Sequence, residues 1–366
     1  MTLLQVGHAK GDITPPPGVT MDGYSNRNEP SRGVHDKLFG RALYFEDGES
    51  SVALISCDVC WFSDQTVAQI NRELNKSRIN HTLIFATHNH SGPAMTDIVA
   101  KPNESAMKYL ETLPSVLAEI VESAARNSTM AMATVSRGKA RLTFNRRKPI
   151  AGAIDPEIVT MLFRDRNEKP IAAILNYACH PTIQGPKNLQ ISADWPGHLA
   201  SKLEENFGQE FNALFLNGSC GDVLPLRNGG SFSDVEIMVQ ELSQVALESL
   251  RNSTEVDESG LSCKTMGVGP LPPFGTSLDL HALKIANLVI LGVPGEVFAS
   301  TGLAIKESEL HNNLIVASYL NGYRGYIPTR DAFLRNDYET QALCWVDSKA
   351  ETEIRAKGKI LCNSFL

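Results

Sequence analysis

No window of the 366 residues approaches the roughly 20 apolar residues that a membrane-crossing helix needs, so none is expected. Positive charge is also short. With 34 Lys and Arg against 41 Asp and Glu the net charge is −7, which leaves no basic footprint for nucleic acid or an anionic membrane. The start, Met1-Thr-Leu-Leu-Gln-Val-Gly-His8, lacks the charged and apolar regions of a secretion signal, and a cytoplasmic location is expected. Cysteines number seven, an odd count without metal-type pairing, which points to reduced thiols rather than a disulfide framework. Cys57 and Cys60 do form a Cys-x-x-Cys, but at an apolar strand exit beside Trp61 they read as packing residues. Repeats, low-complexity tracts and linkers are missing too, so residues 1–366 are expected to form one large domain.

What is present is an ordinary globular composition, 42% hydrophobic and 20% charged, in which strands alternate with helices. Residues 4–24 are a Gly/Pro-rich lead expected to wrap the core without regular structure. A strand out of 33–45, the Asp47-Gly48 turn and a strand 51–58 read as a hairpin. A helix follows over 64–76 with Asp64 as its cap, then a strand over 81–87 and a helix over 104–126 that Pro114 interrupts or kinks. Residues 130–137 return as a strand, and 157–164 with 171–179 form a second hairpin. A helix starts near Asp194, a strand spans 211–216 and a helix 233–250. Strands at 277–285 and 288–293, a helix at 297–309 and a strand at 314–320 complete an α/β fold, mixed β-sheets packed with helices.

Chemistry collects where these strands stop. Phe85-Ala-Thr-His-Asn-His-Ser-Gly-Pro93 sets His88 and His90 at one strand mouth, and an extended His-x-His projects both rings to one side. His180, Asp222, Glu296 and Tyr326 stand at four further exits. A hydrolytic zinc site needs two or three N/O ligands and an open position for water, and ligands from separate strand ends supply it. Each residue taken alone reads equally well as a cap bonded to nearby backbone; the recurrence is what points to a metal. Asp58, Asp194 and Asp222 are candidates for acids that orient the ligands, with simple caps as the alternative.

The succession Gly7-x-x-x-Gly-Asp-Ile-Thr-Pro15, Gly23-Tyr24, Gly33-Val-His-Asp-x-Leu38, Ala86-Thr-His-Asn-His-Ser-Gly-Pro93, Asn145-Arg146, His180-Pro-Thr182, Ser192-Ala-Asp194, Gly221-Asp-Val-x-Pro225, Pro294-Gly-Glu296 and Tyr326-Ile-x-Thr329 resembles the catalytic domain of neutral (alkaline, non-lysosomal) ceramidases. The resemblance implies a single Zn²⁺ held by His88, His180, Glu296 and Tyr326. It also implies that His90 handles protons or contacts the oxyanion, and that Arg146 and Tyr338 line the pocket. Two departures bear on the substrate. Leu224 stands where the family has the serine of Gly-Asp-Val-Ser-Pro, and the chain stops after a helix near residue 360, without the family's C-terminal sandwich domain. Cys220 is a weak substitute for that serine, since small cysteines in Gly-rich turns commonly pack. The expectation is therefore a metal-dependent hydrolase of a small-molecule amide or ester, N-acyl compounds among them, smaller than ceramide. A non-catalytic relative that keeps the pocket, and a metal-dependent phosphoesterase, remain open alternatives. Nothing in the sequence speaks to oligomeric state.

Overall fold

The computed structural model describes residues 4–365 apart from 76, 78, 149–151, 209, 252, 256–259 and 308–312. Two β-sheets lie face to face at its centre. The larger runs in the order Asn212–Asn217, Pro170–Tyr177, Glu157–Asp165, Thr129–Lys139, Leu4–Asp12, Phe39–Glu46, Ser51–Cys57 and His81–Ala86, with Thr254–Glu255 also paired to Thr129–Lys139. The pair at each edge is parallel and the pairs between are antiparallel. The smaller sheet holds Leu261–Leu271, Thr276–Ile285, Leu288–Gly292 and Leu314–Ala317, the last two parallel.

Side-chain alternation explains the layers, because a strand packed on both sides needs apolar residues at odd and even positions alike. Leu43, Phe45, Leu54, Leu83 and Phe85 pack against Leu283, Ile285, Ile290 and Ile315 between the sheets. The alternate residues Ala42, Tyr44, Ala53 and Ile55 meet Val67, Ile70, Leu117 and Val121 of helices Asp64–Leu74 and Glu104–Arg126. Further along, Leu162, Ala173 and Leu175 receive Leu199, Leu203 and Leu242 of helices Asp194–Phe207 and Phe232–Arg251. On the far side of the smaller sheet, Leu280, Val289 and Val316 take Ile354 and Leu361 of helix Ala350–Asn363. Each such Leu, Ile or Phe contributes about 1.5–3 kcal/mol on burial. The order is helix, sheet, sheet, helix, an α/β architecture with mixed sheets as expected.

Several local expectations are corrected. The lead is not irregular: Leu4–Asp12 is a central strand paired to Phe39–Glu46 and Thr129–Lys139. Its glycines serve close packing and not turns, since a Cβ on Gly7 would lie 1.9 Å from the Ala124 carbonyl oxygen of the covering helix. Ser63, not Asp64, caps the first helix, its side chain accepting from the Thr66 amide, while Asp64 pairs with Arg324 at 2.8 Å. Helix Glu104–Arg126 continues through Pro114 without interruption. The helix expected over 297–309 is observed as Ala299–Lys306; residues 308 and 309, and residue 76 of the earlier helix, lie outside the described residues.

In a flat sheet of these pairings the edge strands His81–Ala86 and Asn212–Asn217 would point in opposite directions. Seven steps of about 20–25° turn one edge by roughly 140–175° relative to the other, so their C-terminal ends face one opening. The roll is closed by side chains: Ser56 Oγ donates to the Phe215 carbonyl at 2.6 Å and Asn217 Nδ2 to the Thr87 carbonyl at 3.1 Å.

Candidate metal centre

At that opening the chain leaves strand His81–Ala86 through Thr87, whose amide donates to the Cys57 carbonyl, and Asn89, whose amide donates to the Val59 carbonyl. Between them His88 has φ +67°. His88 and His90 therefore do not converge as an extended pair. The left-handed turn, costing on the order of 1–3 kcal/mol for a residue of this type, brings His90 Nε2 to 3.1 Å from His88 Nε2. Such strain is held where the surroundings over-determine it: the Tyr319 ring stacks on His88 at 4.0 Å, and His88 Nδ1 donates to the Cys60 carbonyl at 3.1 Å.

His180 follows strand Pro170–Tyr177, and its Nδ1 donates to the Cys220 carbonyl at 2.7 Å. With both Nδ1 atoms committed to carbonyls, His88 and His180 turn their Nε2 atoms inward. Glu296 completes the set from the two-residue strand Glu296–Val297, its Oε1 accepting from Tyr323 Oη at 2.5 Å. Its Oε2 lies 3.1 Å from His180 Nε2 and 3.6 Å from His88 Nε2. All three side chains are about 1% exposed, and neither His180 Nε2 nor Glu296 Oε2 has a hydrogen-bond partner. Buried polar atoms are rarely left so. These separations match the roughly 3.3 Å edge of a tetrahedron with bonds near 2.0–2.1 Å, and two imidazole nitrogens with one carboxylate oxygen are a donor set that suits a divalent transition metal. The group fits an ion on these observations.

Electrostatics agree. Burial first, then the neighbouring His180 and Arg146, hold His88 down to about 3, and burial with His88 and His180 beside it holds His90 well below the usual range, so both rings are neutral. For His180 burial works the other way from its neighbours, but Cys220 and Glu296 outweigh it and raise the ring to about 10. Glu296 falls to about 2 although burial opposes this, because His88, His180 and Tyr323 favour the carboxylate. Without an ion, a proton between His180 and Glu296 is the balancing charge, and a cation would displace it.

Tyr326 is the in-register neighbour of Glu296 on the parallel strand Tyr326–Ile327, so both side chains leave the same face of that small ladder. Its hydroxyl accepts from Arg146 Nη2 at 3.1 Å; the same guanidinium donates to the Gly221 carbonyl at 2.9 Å and to Glu339 at 2.7 Å. Tyr338 lies outside, 64% exposed, beneath the Arg146 guanidinium at 5.2 Å. His90, on the other side, is held edge-on by Tyr24 at 5.0 Å and by Gly23, where a Cβ would come within 2.5 Å of the ring.

The three acids expected to orient ligands do not touch the histidines. Asp58 pairs with Arg41 at 3.0 Å, Asp194 accepts from the Gln184 and Trp195 amides, and Asp222 from the Ala299 amide and Asn145. Main-chain carbonyls in the turns orient the rings instead, which a turn wound tightly around a buried ring can do without any added charge. Asp194 acts at one remove, since Trp195 beside it donates to the His180 carbonyl at 3.2 Å. Cys220 packs against the Tyr319 hydroxyl and Leu224 pairs across a short ladder with Phe144. Cys57, Cys60, Cys179, Cys220, Cys263 and Cys344 are free thiols. Sequence reasoning missed Tyr319 and Tyr323, which sit with Tyr326 in one tyrosine-rich exit; their spacing does not tell which of them meets the carboxylate.

The sequence pattern of the neutral/alkaline non-lysosomal ceramidase family, N-terminal part, matches residues 4–268. The chain belongs to this family. Among its curated members, neutral ceramidase A of Dictyostelium discoideum is 25% identical over 263 residues, covering 63% of this chain and 37% of that protein. Neutral ceramidase of Mycobacterium tuberculosis is 27% identical over 264 residues, covering 62% and 41%. The chain thus spans about two-fifths of the length of these relatives. The crystal structure of neutral ceramidase from Pseudomonas aeruginosa superposes with a TM-score of 0.86 at 19% identity, over 100% of this chain and 75% of that one, which establishes the ceramidase fold. The family pattern includes His88, His90, Arg146 and His180 and ends before Glu296, Tyr326 and Tyr338.

Proposed function

We propose that residues 1–366 act as one catalytic unit, a zinc-dependent hydrolase that cleaves the C–N bond of an amide, or an ester, in a substrate smaller than ceramide. The supporting observation is the convergence of His88 Nε2, His180 Nε2 and Glu296 Oε2, buried and, for the last two, without hydrogen-bond partners. Tyr326, beside Glu296, is the fourth ligand in this reading. Zinc bound there supplies a Lewis acid and a water with its pKa lowered to about 7.

The chain's own groups do the rest. His90, neutral through burial and facing the cluster at Nε2, takes a proton during attack on the carbonyl carbon and returns it to the leaving nitrogen or oxygen. Arg146 fixes the Tyr326 hydroxyl, and Tyr338 over its outer face is the surface on which the body of the substrate rests. Leu224 offers no hydroxyl where the family has a serine, and that departure supports a substrate other than the long-chain lipid. Free thiols at Cys57, Cys60, Cys179, Cys220, Cys263 and Cys344 fit a reducing compartment such as the cytoplasm.

Turnover on a panel of short N-acyl amides and esters, with and without chelator, tests this. The expected result is chelator-sensitive cleavage of a short N-acyl compound and none of a long-chain ceramide, even by Leu224→Ser. Full metal content without turnover on any member would leave a binding protein, and turnover confined to phosphate esters would replace the reaction class.

A further inference from the structure

A second group of donors lies away from the buried cluster, where the loop after the short strand Gly33–Val34 meets helix Asp194–Phe207. Asp36 Oδ2 is 2.8 Å from His35 Nδ1 and 3.2 Å from His198 Nε2, and one donor atom of each residue lies within 4.8 Å of the others. We propose that His35, Asp36 and His198 form a second site for a divalent transition metal, independent of the buried one.

One carboxylate oxygen faces two imidazoles and bonds properly to only one. His35 Nδ1 makes the hydrogen bond; His198 Nε2, sealed from water, has no partner despite its 3.2 Å approach. The buried cluster carries the same signature, a ring nitrogen and a carboxylate oxygen 3.1 Å apart and off the hydrogen-bond direction. Separations of 2.8–3.2 Å suit the roughly 3.0 Å edge of an octahedron with bonds near 2.1 Å.

The donors are also held in place before any ion arrives. Asp36 Oδ1 accepts from the Ala193 amide at 2.7 Å, and the His35 amide donates to the Ile191 carbonyl at 2.9 Å. The His35 ring lies parallel to Phe232 at 3.5 Å. Backbone pairing of Gly33–Val34 with Gln190–Ile191 ties the loop to the start of the helix that carries His198. Two nitrogens and one oxygen favour zinc, cobalt, nickel or copper over calcium or magnesium, which prefer all-oxygen sites. With side chains 39%, 21% and 27% exposed, the remaining positions go to water.

Zinc titration of the metal-stripped full chain by calorimetry, with elemental analysis after dialysis, tests the site. Wild type should bind two equivalents. His198→Ala and Asp36→Asn should each bind one, the latter keeping an oxygen for the Ala193 amide so that the loop stays in place, and melting temperatures should confirm folding. His180→Ala should keep the outer equivalent. If the buried reading alone is wrong, wild type binds a single zinc that His198→Ala removes and His180→Ala does not. A wild-type stoichiometry of one that only His180→Ala abolishes overturns the outer site, as does a second equivalent that survives both outer variants. Calcium in place of zinc should give no outer equivalent, and a calcium equivalent lost in Asp36→Asn but kept in His198→Ala would overturn the transition-metal assignment.

Discussion

The clusters around Glu296 and around Asp36 use the same groups, two imidazoles and a carboxylate at similar spacing, and differ in their surroundings. At Glu296 water is excluded, Tyr323 occupies one carboxylate oxygen and carbonyls occupy both Nδ1 atoms, so a single arrangement of the inward donor atoms remains. At Asp36 the second oxygen is held by the Ala193 amide at the start of a helix, one ring rests on the half-buried Phe232, and solvent reaches all three side chains. The charge balance differs accordingly. Desolvation neutralises His88, whereas His198 is raised by Asp36 in spite of partial burial. The same donors thus become a fixed, water-poor site suited to chemistry in one place and an adaptable, hydrated one in the other.

The largest effect that separates them is expected from His88→Ala or His180→Ala, which should remove the inner zinc and bring turnover to background while the outer equivalent stays. Full zinc content in both variants breaks the comparison at its stronger end. Next is His90→Ala, which should retain both metals and lose about 10²–10⁴-fold in turnover, measured on preparations whose zinc is counted. Loss of zinc from His90→Ala with retention in His88→Ala would exchange the two histidines. Tyr323→Phe should cost about 10–100-fold in inner zinc affinity, because Glu296 Oε1 loses the hydroxyl that orients it, and leave outer affinity unchanged. Competition with a chromophoric chelator reads both sites at once.

The smallest effect concerns how far the dry inner region extends. Asp22, which accepts from the Gly23 and Met95 amides behind His90, is pushed up to about 7 by burial from 3.8. The folded chain therefore holds that proton more tightly than the unfolded one. The stability it contributes is fully present below about pH 4 and is lost as pH rises through 7, on the order of 1–4 kcal/mol. Melting temperature between pH 5 and 8 should fall by a few degrees more in wild type than in Asp22→Asn. Equal slopes would place Asp22 in contact with water.

Legibility followed locality. Strand His81–Ala86 and the hairpin of Glu157–Asp165 with Pro170–Tyr177 could be read because both faces are buried and the runs are continuously apolar. Strand Leu4–Asp12 could not, because Gly7 and Gly11 resemble turn residues until the helix that crowds them, more than 100 residues later, is in view. The histidines, Glu296 and Tyr326 stood out as polar groups ending apolar strands. Tyr323 did not, since nothing but the folded distance distinguishes it from Tyr319 and Tyr326. The acids were over-read: Asp58 was visible as a carboxylate at a strand exit, but its partner Arg41 belongs to the adjacent strand and bonds to Glu204, not to the histidines or Glu296.

The rolled sheet gives an ion at the inner site a mechanical role. Its two edges meet through the side-chain bonds of Ser56 and Asn217 and not through a ladder, which makes the seam a place for local opening below the global unfolding free energy. His88 hangs from one edge, His180 follows the strand beside the other, and Glu296 comes from the two-residue ladder that follows strand Leu288–Gly292 of the facing sheet. An ion shared by the three is a rivet across the seam. By binding only the closed form it raises the opening free energy by about 4 kcal/mol when free metal exceeds its dissociation constant a thousandfold, and amide exchange along strands His81–Ala86 and Asn212–Asn217 slows accordingly.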